Sequence, residues 1–269
     1  MDVLLLTIKG LMNAMICMLA MSLSSSEVEG CHVECPDVDT ASDRYKRRFR
    51  GKAGAWFLEK QADGLLALLE PWKAARILDV GGGHGQYTEL LVQRGYDVTV
   101  LGSTPLADMQ IRHLVDAGKC RYVVGNLLSH PVENRSFDVV ISFRLLSHLQ
   151  HWRDFIHEAC RVSRHAVIVD IPTLKSSNIL YPVLFWLKRA TEGSLTRRFH
   201  VFKEHEVVAE FVAAGFKATG RLPQYFLPMA FHRKLHAPAV SQSLENMFAR
   251  MGLLKRFGSP VILRVESSA

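Results

Sequence analysis

The sequence predicts an α/β fold built on a doubly wound, mostly parallel sheet. Two observations predict it: short apolar runs alternate with helical patterns over residues 76–170, and a glycine-rich turn follows the first run. Strands that alternate with helices are joined by right-handed crossovers, so helices cover both faces of the sheet.

The elements can be justified in chain order. A first helix is expected over Trp56–Leu69, because its apolar residues recur three or four positions apart and Pro71 stops it. Five apolar runs then fit buried strands: Ile77–Val80, Asp97–Leu101, Arg121–Val124, Phe137–Ser142 and His165–Asp170. Helical patterns lie between them at Tyr87–Arg94, Leu106–Ala117 and Trp152–Val162.

The C-terminal part adds two more strands. A helix is predicted over Glu204–Ala214, where Gly215 provides a C-cap, and a sixth strand over Phe216–Gly220. A seventh strand fits Ser259–Glu266, after a long connection that contains a helical segment at Ser241–Met251. Long insertions at the rim of a rigid sheet often carry specificity.

The glycine turn points to a small-molecule site. Gly81, Gly83 and Gly85 fall at every second position, so a ligand can approach backbone N–H groups without meeting a Cβ. The following helix directs its N-terminal N–H groups to the same place. A dinucleotide fingerprint requires Gly-x-Gly-x-x-Gly or Ala, but the last position is Gln86 or Thr88, depending on the register. The spacing therefore argues against a dinucleotide.

Asp79 followed by alternating glycines resembles motif I of the class I S-adenosylmethionine-dependent methyltransferases. The resemblance implies that Asp79 lies near the methionine end of the cofactor and that Gly81, Gly83 and Gly85 pass beneath it. A plain strand-to-helix turn in another α/β protein is the alternative for this segment alone.

A second segment narrows the family. Gly125-Asn126-Leu127-Leu128 and then Ser136–Leu149 resemble the type 11 methyltransferase pattern of a turn, Ser-Phe-Asp-x-Val and a Leu-His-His-Leu-like stretch. The resemblance covers about residues 44 to 220. It implies a Rossmann-like, seven-stranded sheet with an antiparallel last strand, a helical insertion before that strand, and S-adenosylmethionine as cofactor. It also implies that Asn126 and Leu127 border the adenine and that the backbone around Phe143 faces the methionine group.

Two positions depart from the family pattern. Gly102 stands at the end of strand two, where the family usually carries a carboxylate that accepts both ribose hydroxyls, and Ser103 could replace it only as a neutral acceptor. Asn126 stands where aspartate is commoner, so it contributes no charge. We expect weaker cofactor binding than in family members with both carboxylates, and tighter binding in a Gly102→Asp variant.

Three residues are candidates for the catalytic base. Methyl transfer is an in-line displacement that mainly requires a well-positioned nucleophile, with proton removal for some acceptors. His148 follows strand four, Asp170 ends strand five, and His200 precedes the Glu204 helix. Each could instead have a packing role, and no single base is indispensable.

Two segments are expected to cap the acceptor site, residues 174–200 and 224–257. The first contains the apolar run Leu180–Leu187, and the second combines Tyr225 and Phe231 with basic residues. They predict a small, apolar or lipid-like acceptor with an anionic part, methylated on oxygen, nitrogen or carbon. Alternatively, the two segments pack on each other as an extra helical layer. Removal of Tyr225 and Phe231 is expected to abolish turnover and to leave cofactor binding intact.

Composition bounds the partners. The chain has 269 residues, a net charge of +7 and five scattered cysteines, an odd number that favours a reducing, cytoplasmic compartment over a disulfide scaffold. The positive charge suits anions, an acidic membrane or nucleic acid. An RNA methyltransferase and a non-catalytic cofactor-binding protein remain alternatives, although no Asn-Pro-Pro-Tyr base-flipping motif follows strand four, and nucleic acid is not the expected partner. No metal site is expected, since Cys31–Cys35 lacks a second ligand pair at zinc spacing.

The first 42 residues are predicted to be an extension of the methyltransferase domain, which spans 43–269. Two apolar runs, interrupted by Lys9, precede a serine-rich polar stretch that reads as a linker. A weak signal or anchor, an amphipathic membrane-surface segment and a start codon placed too far upstream are the competing interpretations. Peripheral contact with an acidic membrane therefore remains an expectation.

Overall fold

Seven strands form one sheet in the computed structural model, which describes residues 34–40, 47–174 and 200–268. Their bounds are β1 Arg76–Val80, β2 Asp97–Gly102, β3 Arg121–Val124, β4 Phe137–Ser142, β5 Ser163–Ile171, β6 Phe216–Pro223 and β7 Val261–Ser267. The strand order is β3-β2-β1-β4-β5-β7-β6. Pairs among β1 to β5 are parallel, whereas β7 runs antiparallel to both β5 and β6. The predicted fold class is confirmed.

Nine α-helices accompany these strands within the described residues. They are α1 Pro36–Thr40, α2 Gly51–Leu69, α3 Thr88–Gln93, α4 Arg112–Asp116, α5 Trp152–Val162, α6 Glu204–Ala213, α7 Met229–Leu235, α8 Pro238–Arg250 and α9 Leu253–Phe257. The last three form the predicted helical insertion between β6 and β7. No helix in the described part of the chain combines the length and apolarity needed to cross a bilayer.

The core has two halves, one on each face of the sheet. On one face, apolar side chains of α5 and α6 pack on β1, β4, β5 and β7. On the other face, α2, α3 and α4 supply Leu65, Leu91 and Leu114, which pack on β1, β2 and β4. Because β1, β2 and β4 are buried on both faces, their sequences are nearly continuous apolar runs rather than alternating ones.

The prediction of one continuous helix over Leu106–Ala117 is wrong, because two shorter helices occupy this range. A short 3₁₀ helix covers Pro105–Asp108, and α4 begins only at Arg112. The reason is a close tertiary contact: a Cβ built on Gly83 would lie 1.9 Å from the carbonyl oxygen of Ala107. The backbone at Ala107 therefore packs against the glycine turn, and a regular helix starts only beyond it.

Part of the predicted N-terminal extension contacts the sheet rim. Glu34 accepts hydrogen bonds from the backbone N–H groups of Gln150 and His151, at 2.7 and 2.9 Å. Residues 1–33, which include Cys31 and the apolar runs of the extension, lie outside the described residues. The role predicted for residues 1–42 stays a prediction.

Candidate active site

The glycine turn wraps around a buried carboxylate. Asp79, in β1, is 1% exposed, and a Cβ on Gly82 would lie 2.0 Å from its Oδ2 atom. Thr88 Oγ1 lies 3.4 Å from the same oxygen as a long hydrogen-bond donor. Burial raises the pKa of Asp79 to about 7, against the opposing effects of Thr88 and the Arg144 charge. A cation bound here would favour the ionised carboxylate.

Two of the three predicted glycines have the left-handed backbone conformation. Gly81 and Gly85 have φ values of 78° and 72°, which residues with a Cβ rarely adopt. Gly81 N–H donates to Leu101 O at 2.8 Å, which ties the turn to β2. Gly83 serves the close approach to Ala107 described above. Each of the three glycines is therefore required by the turn: Gly81 and Gly85 by their positive φ, and Gly83 by its contact with Ala107.

The end of β2 differs from the expectation for Gly102. A Cβ there would lie 1.9 Å from Tyr122 Oη, which donates a hydrogen bond to Thr104 O at 2.6 Å. The structure argues against a gain in cofactor binding from Gly102→Asp, because the new side chain would have to displace Tyr122. Ser103, the expected neutral acceptor, already has a partner: its N–H and Oγ both donate to the carboxylate of Asp37.

The strand-three and strand-four candidates have mostly structural side chains. Asn126 Oδ1 accepts a hydrogen bond from the Leu128 N–H at 2.9 Å, which closes a local turn. The side chains of Leu127 and Phe143 are buried, and the Phe143 ring packs 4.8 Å from that of Tyr87. A ligand at this rim would meet the backbone of Leu127 and Phe143 rather than their side chains.

Two buried polar atoms beside the turn fit a polar ligand. Gln86 Nε2 and Thr104 Oγ1 have no hydrogen-bond partner within the described ranges. Buried polar groups are nearly always satisfied, so such atoms call for a partner. Together with Asp79 and the glycine backbone, they suit a nucleoside cofactor that carries an amino-acid end.

Arg144 is the main residue that sequence reasoning missed. It has a positive φ of 58°, although it is not glycine, and its backbone N–H donates to Asp170 Oδ1 at 2.5 Å. Its Nη2 lies 3.2 Å from His84 Nε2, and its guanidinium lies 4.7 Å from the Phe49 ring centroid. Burial, and then the Arg144 charge, hold the pKa of His84 well below its usual value, so this imidazole is neutral at pH 7.

Asp170 belongs to a buried hydrogen-bond chain. Gln61 Nε2 donates to its Oδ2 at 2.9 Å, and the Tyr87 hydroxyl donates to Gln61 Oε1. Burial raises the pKa of Asp170, whereas the Arg144 and Gln61 contacts oppose that rise. Sequence offered a signal for Gln61, because it lies four residues from both Phe57 and Leu65 on the buried face of α2.

A cavity of about 360 Å³ opens beside Arg144 and Asp170. His148 also lines it, so two of the three catalytic candidates, His148 and Asp170, line the same cavity. His200 is not in that wall: its N–H donates to Ser147 O at 2.8 Å, and its ring stacks on Phe202. The apolar part of the lining is formed by Phe49, Phe57, Pro172, Tyr225, Leu227, Pro228, Met229, Ala230 and Pro260.

The cap over this cavity is fixed by a buried acid. Glu245 accepts hydrogen bonds from the N–H groups of Phe226 and Leu227, at 2.8 and 2.9 Å, and lies 2.9 Å from His232 Nε2. Both side chains of the His232–Glu245 pair are 0% exposed. The clamp holds the loop before α7 over the cavity.

The two aromatic residues predicted for the acceptor have different positions. Tyr225 lines the cavity and donates its hydroxyl to Phe57 O at 3.0 Å. Phe231 is 42% exposed and does not line the cavity, so the structure supports a place in the cavity wall for Tyr225 and not for Phe231. Of the cap segment 174–200, only Leu174 and His200 belong to the described residues, and Leu180–Leu187 lie outside them.

Comparison with known families explains this arrangement. Residues 78–169 match the model of the type 11 methyltransferase domain, and this range holds the glycine turn, β2, β3 and β4 with most of β1 and β5. The chain carries an S-adenosylmethionine-dependent methyltransferase domain. A search by sequence found no match among curated proteins.

Solved structures share the fold of this methyltransferase at low identity. Magnesium protoporphyrin IX methyltransferase from Synechocystis PCC 6803, with bound S-adenosylhomocysteine, is 15% identical, with a TM-score of 0.58 over 84% of this chain and 94% of that one. The PH0226 protein from Pyrococcus horikoshii OT3 is 17% identical, with a TM-score of 0.56 over 84% and 99%. The [4+2]-cyclase SpnF is 14% identical, with a TM-score of 0.53 over 77% and 79%. The family match assigns S-adenosylmethionine as the cofactor.

Proposed function

We propose that this methyltransferase transfers a methyl group to a small, largely apolar acceptor that carries an anionic group. The observation behind the proposal is the cavity of about 360 Å³ next to Arg144, which lies at the carboxyl ends of β4 and β5. Ligands of parallel sheets bind at these strand ends, and cavities of this size suit small molecules.

The walls of the cavity argue for an apolar body. Tyr225 and Phe57 pack edge to face at 5.1 Å between ring centroids, and Met229 packs against the same group. An aromatic or aliphatic acceptor would bury its surface here at roughly 25 cal/mol per Å². A strongly polar acceptor would lose its hydration without enough partners.

The charges in the walls argue for an anionic group. Arg144 and Arg233 both line the cavity, and the Arg233 guanidinium lies 5.7 Å from the Phe57 ring centroid. Among the described lining residues Asp170 is the acid, and the Arg144 N–H and Gln61 already donate to it. A carboxylate or phosphate on the acceptor would pair with the two guanidinium groups and fix its orientation.

The reaction assigns different roles to the wall residues. Bound S-adenosylmethionine supplies an electrophilic methyl group, so the chain itself must orient the acceptor and receive a proton where one is released. Asp170 positions Arg144 through its backbone N–H. His148 is the better placed candidate for a base, because it lines the cavity and imidazole is the commonest general base in enzymes.

Contact with an acidic membrane stays a prediction. The described cap exposes Met247, Met251 and Phe257 close in sequence to Arg250 and Arg256. Apolar side chains beside basic ones suit the surface of an anionic bilayer. An acceptor dissolved in that bilayer would fit the same cavity.

The acceptor class can be tested with methyl-labelled S-adenosylmethionine and a matched panel. The panel contains small aromatic carboxylic acids, their neutral amides, the corresponding amines and a structured RNA. We expect acids to be methylated with kcat/KM about tenfold or more above their amides, since a charge-assisted hydrogen bond is worth roughly 1.5–3 kcal/mol. Arg233→Gln should narrow that ratio, and Arg250→Gln, outside the cavity, should not. Preference for amines, or label in RNA alone, would overturn the proposal.

A further inference from the structure

We propose that Asp37 supplies the carboxylate that accepts the ribose hydroxyls of the cofactor, in place of the acid missing from the end of β2. Acidic residues at that strand end bind ribose hydroxyls in related nucleotide-binding sheets. Here the acid comes from α1, a segment before the sheet. The inference rests on the assignment of S-adenosylmethionine as cofactor.

The position of Asp37 carries the inference. Its Oδ2 accepts a hydrogen bond from the Ser103 N–H at 2.7 Å, and its Oδ1 accepts one from Ser103 Oγ at 2.5 Å. Ser103 directly follows Gly102, the last residue of β2. The carboxylate is therefore held just beyond the strand end, although it is 66 residues away in sequence.

The rest of α1 brings the carboxylate to the cofactor side of the rim. The helix lies against both Gly82–His84, which belong to the glycine turn, and Pro105–Asp108, which follow β2. Asp37 itself is 1% exposed. A buried carboxylate is costly unless hydrogen-bond donors surround it, so this placement is specific rather than incidental.

The same structure explains why β2 does not provide the acid. Tyr122 Oη fills the place of a side chain at Gly102, at 1.9 Å from a Cβ built there. Tyr122 Oη donates to Thr104 O, and Asp37 accepts from the neighbouring Ser103, so both side chains lie beside the residues that follow Gly102. Burial, and then the Asp37 charge, raise the pKa of Tyr122. Tyr122 and Asp37 together thus occupy the region that a carboxylate at position 102 would serve.

Two features make the cluster suitable for a ribose. A carboxylate has about four acceptor sites, so its bonds to Ser103 are compatible with bonds to hydroxyl groups of a ligand. Thr104 Oγ1, one residue further along, is buried without a hydrogen-bond partner within the described residues. A polar ligand beside Ser103 would satisfy that atom as well.

The test is calorimetric titration of the full chain with S-adenosylhomocysteine and with its 2′-deoxy and 3′-deoxy forms. We expect the wild type to bind the deoxy forms about tenfold or more weakly, because each lacks a hydrogen bond to a charged group. In Asp37→Asn, affinity for S-adenosylhomocysteine should fall about tenfold, and the difference between the parent ligand and its deoxy forms should largely disappear. Val38→Ala, at an exposed position of the same helix, should keep both the affinity for S-adenosylhomocysteine and the difference from the deoxy forms.

Each other outcome counts against Asp37. Unchanged affinity in Asp37→Asn would show that the carboxylate makes no bond to the ligand, and tighter binding would show that α1 covers the site instead. If Asp37→Asn folds poorly, the wild type alone still tests the proposal, because the comparison of the three ligands needs no variant. Equal binding of S-adenosylhomocysteine and its two deoxy forms by the wild type would overturn the proposal. Failure of the wild type to bind S-adenosylhomocysteine at all would instead count against the cofactor assignment.

Discussion

The backbone N–H of Arg144 donates to the carboxylate of Asp170 at 2.5 Å, which joins the second residue after β4 to the end of β5. Arg144 has a left-handed conformation that costs energy for any residue except glycine. The Asp170 bond helps to hold that conformation and so sets the direction of the guanidinium. The part of the cavity wall formed by Arg144 and Asp170 therefore depends on a contact between two strand ends.

Loss of the Asp170 charge should weaken the contact between Asp170 and Arg144. In Asp170→Asn the side chain keeps its shape, but its amide group would face one of two donors, Gln61 Nε2 or the Arg144 N–H. We expect the free energy of unfolding in urea to fall by about 1–3 kcal/mol and KM for the acceptor to rise. Glu70→Gln, at an exposed position, should change stability by less than about 1 kcal/mol. Equal stability of Asp170→Asn and the wild type would contradict this role.

Asp79 should give stability a specific pH dependence. Its pKa is raised from 3.8 to about 7 in the folded chain, so between these values the folded chain holds a proton that the unfolded chain has released. Stability should therefore fall as pH rises from about 4 to about 7, by up to about 4 kcal/mol, and then level off. Urea unfolding at several pH values measures this as the difference between the wild type and Asp79→Asn. The exposed control Asp116→Asn should follow the wild type, and a difference that does not change with pH would argue against the raised pKa.

The stability of the cap, residues 224–257, should depend on Glu245. Glu245→Ala leaves His232 and the N–H groups of Phe226 and Leu227 without their acceptor. Each buried donor left without its acceptor costs about 1–3 kcal/mol, so we expect a loss of about 3 kcal/mol or more in thermal and urea unfolding. The surface pair Lys203–Glu206 provides the comparison, since Glu206→Ala should cost less than about 1 kcal/mol. Similar losses in the two variants would show that the clamp does not hold the cap.

Gly102→Asp should destabilise the fold rather than improve cofactor binding. The new Cβ would overlap Tyr122 Oη, and overpacking of this kind costs about 1–3 kcal/mol. Adding Tyr122→Leu should recover part of that loss, so the two substitutions should be non-additive in urea unfolding. Simple additivity, or tighter binding of S-adenosylhomocysteine by Gly102→Asp alone, would contradict this description of the β2 end.

Local patterns predicted the sheet, whereas distant contacts decided the site. The strands and the turn at Gly81 follow from apolar runs and glycine spacing, which neighbouring residues determine. Asp37 and Tyr122 reach the end of β2 from other parts of the chain, and no local pattern marks them. The positive φ of Arg144 could not be predicted either, because sequence alone indicates such conformations mainly at glycine. Asp170 and His148 were identified because strand ends of a parallel sheet converge on one rim.

The central claim is that methyl transfer takes place in the cavity beneath the cap, and filling that cavity tests it most directly. Ala230 lines the cavity, whereas Val240 in α8 is exposed outside its wall. The measurement is transfer of labelled methyl from S-adenosylmethionine to the preferred acid by Ala230→Trp, with Val240→Trp as control. We expect Ala230→Trp to lose at least about 90% of transfer while it keeps its affinity for S-adenosylhomocysteine, because burial of the acceptor is the larger part of its binding. Full transfer by a folded Ala230→Trp would contradict the account.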